Sequence, residues 1–253
     1  MTIGQAIVMG AIQGITEFLP ISSSGHLLVV PPLLGWAPNG LTFDVSVHVA
    51  SLLAIALALP AATWRAINRP LLLKVLVATI PAVLVGLIFG DWLEGLRAPW
   101  VVGSSLIFWG VFLALAEWRA DGALRPVNQL KNVEMLQAWV LGLAQPLAFI
   151  PGTSRSGVTM TVGMLSGLSK ETAATFSFLM AIPAIAGAGA MTAVKVAQTG
   201  FDIGWGPLWA GAISAFISGL LAIKLLYWVI KRARLQYFAF YRIVFGILIL
   251  WLL

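Results

Sequence analysis

The sequence has no cysteine, which excludes disulfides, thiolate chemistry and cysteine-ligated metal sites. Charge is scarce as well. Asp, Glu, Lys and Arg make up 9% of the 253 residues, where a soluble domain carries roughly 25%. Only two histidines occur, His26 and His48. Apolar residues fill the space: 60% of the chain is hydrophobic and the mean hydropathy is +0.98. This composition specifies an all-α polytopic membrane protein. The apolar segments are too long and continuous for β-barrel strands, which alternate. A cleavable signal peptide is not evident, because the N-terminus lacks a basic stretch and Gln13 and Glu17 interrupt the first apolar run. The net charge of +6 does not indicate a nucleic-acid partner, since the basic residues lie mostly in short loops.

Hydropathy predicts six spanning helices, at about 43–62, 72–90, 100–118, 172–192, 208–229 and 236–253. Each is near the ~20 residues needed to cross ~30 Å of hydrocarbon. Two further apolar segments, about 4–34 and 135–168, are broken mid-way by proline, small hydroxyl residues and glycine. They are expected to be re-entrant helix–loop–helix hairpins, because irregular backbone at membrane depth survives only where protein or a cavity covers it.

Basic clusters orient the chain. Arg65, Arg69 and Lys74, then Arg119, Arg125 and Lys131, then Lys231, Arg232 and Arg234, all fall in the cytoplasm by the positive-inside rule. The stretches 91–97 and 195–205 are poorer in Lys and Arg. The six spans alternate consistently only if both broken segments return to the side they entered from, which puts both termini outside. The halves also echo each other. Pro20-Ile-Ser-Ser-Ser-Gly25 resembles Pro151-Gly-Thr-Ser-Arg-Ser-Gly157 with one residue inserted, and Gly10-Ala-Ile-Gln13 resembles Gly142-Leu-Ala-Gln145. A single membrane domain is expected, with repeat one about 1–118, a linker about 119–134 and an inverted repeat two about 135–253. In such folds the site lies near the midplane where the broken helices meet. Trp64, Trp92, Trp100, Trp118 and Trp205 are read as an interfacial belt. Gly86, Gly103, Gly110, Gly187, Gly189 and Gly211 are read as close-packing positions. Glu117, Asp121, Arg119 and Arg125 are expected on a solvated linker face, and Asp44 and Glu171 at helix starts.

The chemistry concentrates in the broken segments, because an ionisable group at membrane depth is costly and marks function. Gln13 and Glu17 are four apart and share a helix face. The Glu17 carboxylate can hold a divalent cation or act as a base. Ser22, Ser23, Ser24 and Gly25 form a small-residue loop whose N–H groups can cradle an anion. His26 can serve as general acid/base or as a nucleophile on phosphorus, whereas His48 is read as structural. Arg155 is an always-charged guanidinium in an apolar hairpin. It needs an anion, either phosphate oxygens in bidentate contact or Glu17. Thr153, Ser154 and Ser156 add hydroxyls, and Gly152 and Gly157 permit the turn.

On these residues the chain resembles the undecaprenyl-diphosphate phosphatase family, the integral-membrane bacitracin-resistance type. Gln13-Gly-Ile-Thr-Glu17-Phe-Leu-Pro-Ile-Ser-Ser-Ser-Gly-His26 is similar to its first motif and Pro151–Gly157 to its second. Glu171-Thr-Ala-Ala-Thr-Phe-Ser-Phe-Leu-Met-Ala-Ile-Pro183 and Ala78-Thr-Ile-Pro81-Ala also look familial. The resemblance implies hydrolysis of undecaprenyl diphosphate to undecaprenyl phosphate and inorganic phosphate, which recycles the lipid carrier for cell-wall synthesis and confers bacitracin resistance. It implies a divalent cation (Mg²⁺ or Ca²⁺), a bacterial inner membrane and an outward-facing site. Carried over by position, Glu17, Ser23, His26 and Arg155 are the catalytic set, with Glu17 the metal ligand. Gln13, Ser22, Ser24, Gly25, Thr153, Ser154 and Ser156 surround the substrate. Position 13 is glutamine, where the family also admits an acid, so a two-carboxylate metal site is not expected. The nucleophile stays open between Ser23 assisted by His26, His26 itself, and an activated water. The partners are the lipid substrate and the membrane; a homodimer is possible.

Two other readings compete. A secondary transporter or lipid-phosphate flippase would also use inverted repeats with broken helices, but the Glu–Ser–His–Arg set exceeds what binding needs. The type-2 phosphatidic acid phosphatase class shares Ser-Gly-His and Ser-Arg. Its Lys-x₆-Arg-Pro segment, and a histidine in the stretch after Ser154-Arg155, are absent from this sequence.

Overall fold

The computed structural model describes residues 1–253 apart from Leu124 and Arg125, and apart from the side chains of Asp91 and Glu94. Arg125 of the central basic cluster thus lies outside the described residues. Helices account for nearly all of the fold: α1 (Ile3–Phe18), α2 (Ser23–Leu33), α3 (Leu41–Ala58), α4 (Ala61–Ala66), α5 (Arg69–Glu94), α6 (Pro99–Asp121), α7 (Met135–Ala144), α8 (Arg155–Leu165), α9 (Lys170–Thr199), α10 (Trp205–Arg232) and α11 (Gln236–Leu252). Among the described residues there is no β-strand, only an isolated bridge between Val127 and Leu168.

Five helices, α3, α5, α6, α9 and α10, are long and apolar enough to cross a membrane. The sixth predicted span is α11, an apolar helix of 17 residues. The first predicted span was drawn to residue 62, but α3 stops at Ala58. Leu59 precedes Pro60 and is held extended, as the proline ring requires. A short α4 follows. The last two turns of α9 run beyond the predicted end, to Thr199. The tryptophans expected at span ends are all exposed, as are leucines, valines and isoleucines along α5, α6, α10 and α11. An apolar surface of that extent suits lipid contact.

Close packing depends on small residues, though only partly on those expected. A side chain at Gly10 would strike the backbone of Gly211, which joins α1 to α10. Gly103 and Gly246 face each other between α6 and α11. Gly142 abuts Ala78 and so seats α7 on α5. By contrast, Gly187 has open space beside it, and Gly189 lies at the contact of α9 with α3 but a Cβ there would meet Val49 at an ordinary 3.7 Å, so neither position requires glycine. The helix pairs recur: α1 packs on α10 as α7 does on α5, α3 on α10 as α9 does on α5, and α1 on α2 as α7 does on α8.

Glu117 corrects a second expectation. It is not on a solvated face but fully buried on α6. Its carboxylate accepts from Lys170 Nζ and from the N–H groups of Leu235 and Gln236, all at 2.7 Å. Asp121 takes the other side of the lysine at 2.7 Å. One acid therefore caps the start of α11 and anchors the start of α9, satisfying donors that have no helical partner. The helix starts assigned to Asp44 and Glu171 are set by Gly40 and Ser169 instead. Both acids sit in the first turn, and Glu171 meets Lys231 at 3.5 Å. Glu117→Ala is expected to cost about 3 kcal/mol, since it strips a buried cluster of its acceptor. The readout is the thermal unfolding midpoint in detergent; an unchanged midpoint would refute the clamp.

Candidate active site

Each broken segment is set by its own sequence. Helix α1 ends at Phe18 because Leu19, ahead of Pro20, is extended. Helix α2 restarts at Ser23 with Ser22 as its cap, and α8 starts at Arg155 with Ser154 as its cap. Ser22 and Ser154 are the two non-glycine residues with positive φ among those described, at 76° and 72°. Each accepts the N–H of the glycine three residues on, Gly25 or Gly157, at 3.3 and 3.1 Å. Gly10, Gln13, Ser22, Ser24 and Gly25 correspond to Gly142, Gln145, Ser154, Ser156 and Gly157 at one constant offset. No residue is inserted between the motifs; only the prolines, Pro20 and Pro151, fall one step out of register. Left-handed backbone at a non-glycine residue costs of order 1–3 kcal/mol and persists only where the surroundings impose it.

The surroundings are a buried guanidinium. Arg242 of α11 is wholly inaccessible. It donates to the carbonyls of Pro20 at 3.0 Å, Gly152 at 3.1 Å and Thr153 at 2.8 Å. It thereby ties the tip of one hairpin to the tip of the other. Ser156 Oγ adds a bond to Leu19 O at 3.1 Å.

The chemical groups meet at that junction. Arg155 Nη2 lies 2.7 Å from Glu17 Oε1. The other carboxylate oxygen, Oε2, accepts from Ser23 Oγ at 2.8 Å and Gln13 Nε2 at 3.2 Å. Arg155 also donates to Ser177 O at 3.4 Å. His26 stands apart from Ser23: its Nδ1 bonds Ser22 O and its Nε2 bonds the Tyr241 hydroxyl, both at 2.6 Å. Ser23 therefore has a carboxylate, not an imidazole, as its partner. The first N–H groups of α2 and α8 have no helical acceptors; those of Gly25 and Gly157 are taken by the cap serines.

The remaining positions divide by access. Ser23 and Arg155 are partly exposed and Ser24 is exposed. Ser22, Gly25, Thr153, Ser154 and Ser156 are buried, and the three serine hydroxyls among them are engaged in caps and cross-hairpin bonds. Gln13 Oε1 and Thr153 Oγ1 are buried without partners. Among the described residues no group of three His, Cys, Asp or Glu could hold a metal. Glu17, Ser23 Oγ and the unpartnered Gln13 Oε1 are nonetheless a hard-oxygen set, suited to a cation that completes its shell with phosphate oxygens. His48, read as structural, bonds Asp44 O at 2.6 Å. Sequence reasoning missed Tyr241 and Arg242. The signal for Arg242 was present, as it is an arginine inside the apolar last helix.

Arg242→Met is expected to unlock both caps and to lower the unfolding midpoint by more than Arg155→Met does. Thermal melts of the two variants side by side check this; equal midpoints would sink the clamp.

The chain matches the family described as Bacitracin resistance protein BacA over residues 6–248. It is 40% identical to an undecaprenyl-diphosphatase of Alteromonas mediterranea, across 99% of this chain and 98% of the relative. Undecaprenyl-diphosphatases of Chromohalobacter salexigens and Moorella thermoacetica are each 39% identical, covering 96% and 98% of this chain and 96% and 97% of their own lengths. With the family matched over nearly its whole length and the paired hairpin motifs in contact, the chain belongs to the BacA family of bacitracin resistance proteins.

Proposed function

We propose that this protein is an undecaprenyl-diphosphate phosphatase of the bacterial inner membrane. It releases inorganic phosphate and returns undecaprenyl phosphate to cell-wall synthesis, which underlies bacitracin resistance. The observation that carries the reading is the shared carboxylate. Glu17 holds Arg155 on one oxygen and the Ser23 hydroxyl on the other. A transporter would need the cation but not a hydroxyl poised on a base.

In the mechanism, the diphosphate enters over the exposed edge formed by Ser23, Ser24 and Arg155, with its prenyl chain left in lipid. Arg155 exchanges the carboxylate for phosphoryl oxygens, which its planar fork fits. That exchange frees Glu17 to take the Ser23 proton. Ser23 Oγ attacks the terminal phosphorus, the P–O bond of the anhydride breaks, and undecaprenyl phosphate leaves. Glu17 hands the proton it took to the departing phosphate and is again a carboxylate; water then cleaves the phosphoserine to inorganic phosphate, with Glu17 as base. The N-termini of α2 and α8 stabilise the charge on the transferred group. A divalent cation held by Glu17, Gln13 Oε1 and Ser23 would neutralise part of the phosphate charge.

The topology we propose is six spans, α3, α5, α6, α9, α10 and α11, with α1–α2 and α7–α8 as re-entrant hairpins in an inverted repeat. The exchanged helix pairs, the matching left-handed caps and the basic clusters support it. It puts the site towards the cell exterior.

The test is phosphate release from undecaprenyl diphosphate by purified protein in detergent, with Mg²⁺ or Ca²⁺ or with chelator. Glu17→Ala and Arg155→Ala are each expected to lose at least about 10²-fold in kcat at a temperature where cooperative melts show both variants folded. Chelation is expected to abolish release. No release by folded wild type, together with uptake of the lipid into vesicles, would establish the transporter instead. A phosphate trapped on Ser23 supports the nucleophile; one trapped on His26 would replace it. Inorganic diphosphate is expected to be a poor substrate, since each prenyl CH₂ buried is worth about 0.8 kcal/mol.

A further inference from the structure

We propose that Tyr241 is a positioning residue for this reaction: its hydroxyl fixes the tautomer and plane of His26, and through His26 the turn that presents Ser23. The proposal rests on the phosphatase reading of the same site.

The hydrogen bonds assign the protons. Ser22 O is a backbone carbonyl and can only accept, so His26 Nδ1, 2.6 Å away, carries hydrogen. In the neutral ring Nε2 then presents a lone pair, and the Tyr241 hydroxyl at 2.6 Å donates to it. Both ring nitrogens are thus occupied. His26 has no free lone pair for attack on phosphorus, and Ser23 has turned to Glu17.

The ring is held on one face as well. Phe245 stacks on it at a centroid distance of 4.5 Å with 20° between planes, while the Tyr241 ring lies beside it at 5.7 Å, nearly parallel at 6°. Both come from α11, one turn apart. That helix is fixed at its start by Glu117 on the N–H groups of Leu235 and Gln236. It is fixed again next to Tyr241 by Arg242 on the loop carbonyls. Tyr241 therefore reaches His26 from a rigid base.

The imidazole acts on the loop. Ser22 O receives both the Nδ1–H and the backbone N–H of His26, the latter at 3.3 Å. These two hydrogen bonds to one carbonyl hold the left-handed Ser22 turn, and Ser23 is the next residue. Tyr241, His26, Ser22 and Ser23 thus form one chain of hydrogen bonds and backbone that ends at the nucleophile. His26 contributes by orientation.

Tyr241→Phe removes the hydroxyl and keeps the ring, while Tyr241→Leu removes both. Each is prepared in full-length protein labelled with ¹⁵N-histidine, and His48→Gln assigns the two histidine signals. In wild type the His26 signals are expected to report hydrogen on Nδ1 and a hydrogen-bonded Nε2. In Tyr241→Phe the Nε2 signal is expected to move to that of an unbonded lone pair. With undecaprenyl diphosphate, Tyr241→Phe is expected to lose about tenfold in kcat, as outer partners that orient a histidine typically do, with KM within twofold of wild type. An unchanged kcat in Tyr241→Phe, or His26 signals indifferent to the hydroxyl, would overturn the proposal, and Tyr241 would be packing alone. The spectra are read on the resting protein. A chain that does not hydrolyse the lipid would therefore fail the phosphatase reading without affecting the assignment of the tautomer.

Discussion

The site depends on one buried arginine reaching three carbonyls of the two loops. Where a helix is broken inside the protein, the freed carbonyls have no water to turn to, and each unsatisfied group costs on the order of a few kcal/mol. Arg242 supplies donors to Pro20, Gly152 and Thr153 together. It can do so only if the two hairpin tips are adjacent. The requirement to satisfy broken backbone therefore also determines that Glu17 and Arg155, distant in sequence, face each other. The strained caps at Ser22 and Ser154 are tolerated because this network leaves the loops no alternative.

Charge in the rest of the protein follows the same economy of use. Glu117 is as deeply buried as Arg242, and each serves several partners from different helices. Together they hold α11 at two points, and α11 in turn faces the first hairpin through Tyr241 and Phe245. The last helix of the chain is thus as much a part of the site as the motifs near its start.

Much of this was legible in the sequence. The all-helical class followed from composition, because so few charges cannot cover a soluble surface. Gln13 and Glu17 were placed on one face by helical spacing, and Arg155 was matched to Glu17 because a lone guanidinium needs an anion. Other features were not legible for specific reasons. Glu117 was assigned to solvent because it lies near other charges, and local sequence does not tell a helix end from a helix interface. Tyr241 looked like one more aromatic in an apolar helix, and its partner is more than two hundred residues away. Ser22 and Ser154 looked like ligand-binding hydroxyls. Their role as caps depends on φ, which serine rarely takes above zero and which only the tertiary clamp imposes.

The constant offset between the halves has a consequence for how a ligand lies. The caps coincide, but Ser23 falls opposite Arg155, Glu17 opposite Phe149 and His26 opposite Val158. The scaffold is nearly self-matching, while the chemistry carried on it is not. A cradle with equal walls would present the same groups from both sides. Here one wall carries the hydroxyl and its base and the other carries the cation. The junction therefore has a polarity, with a hydroxyl and carboxylate on one side and a guanidinium on the other.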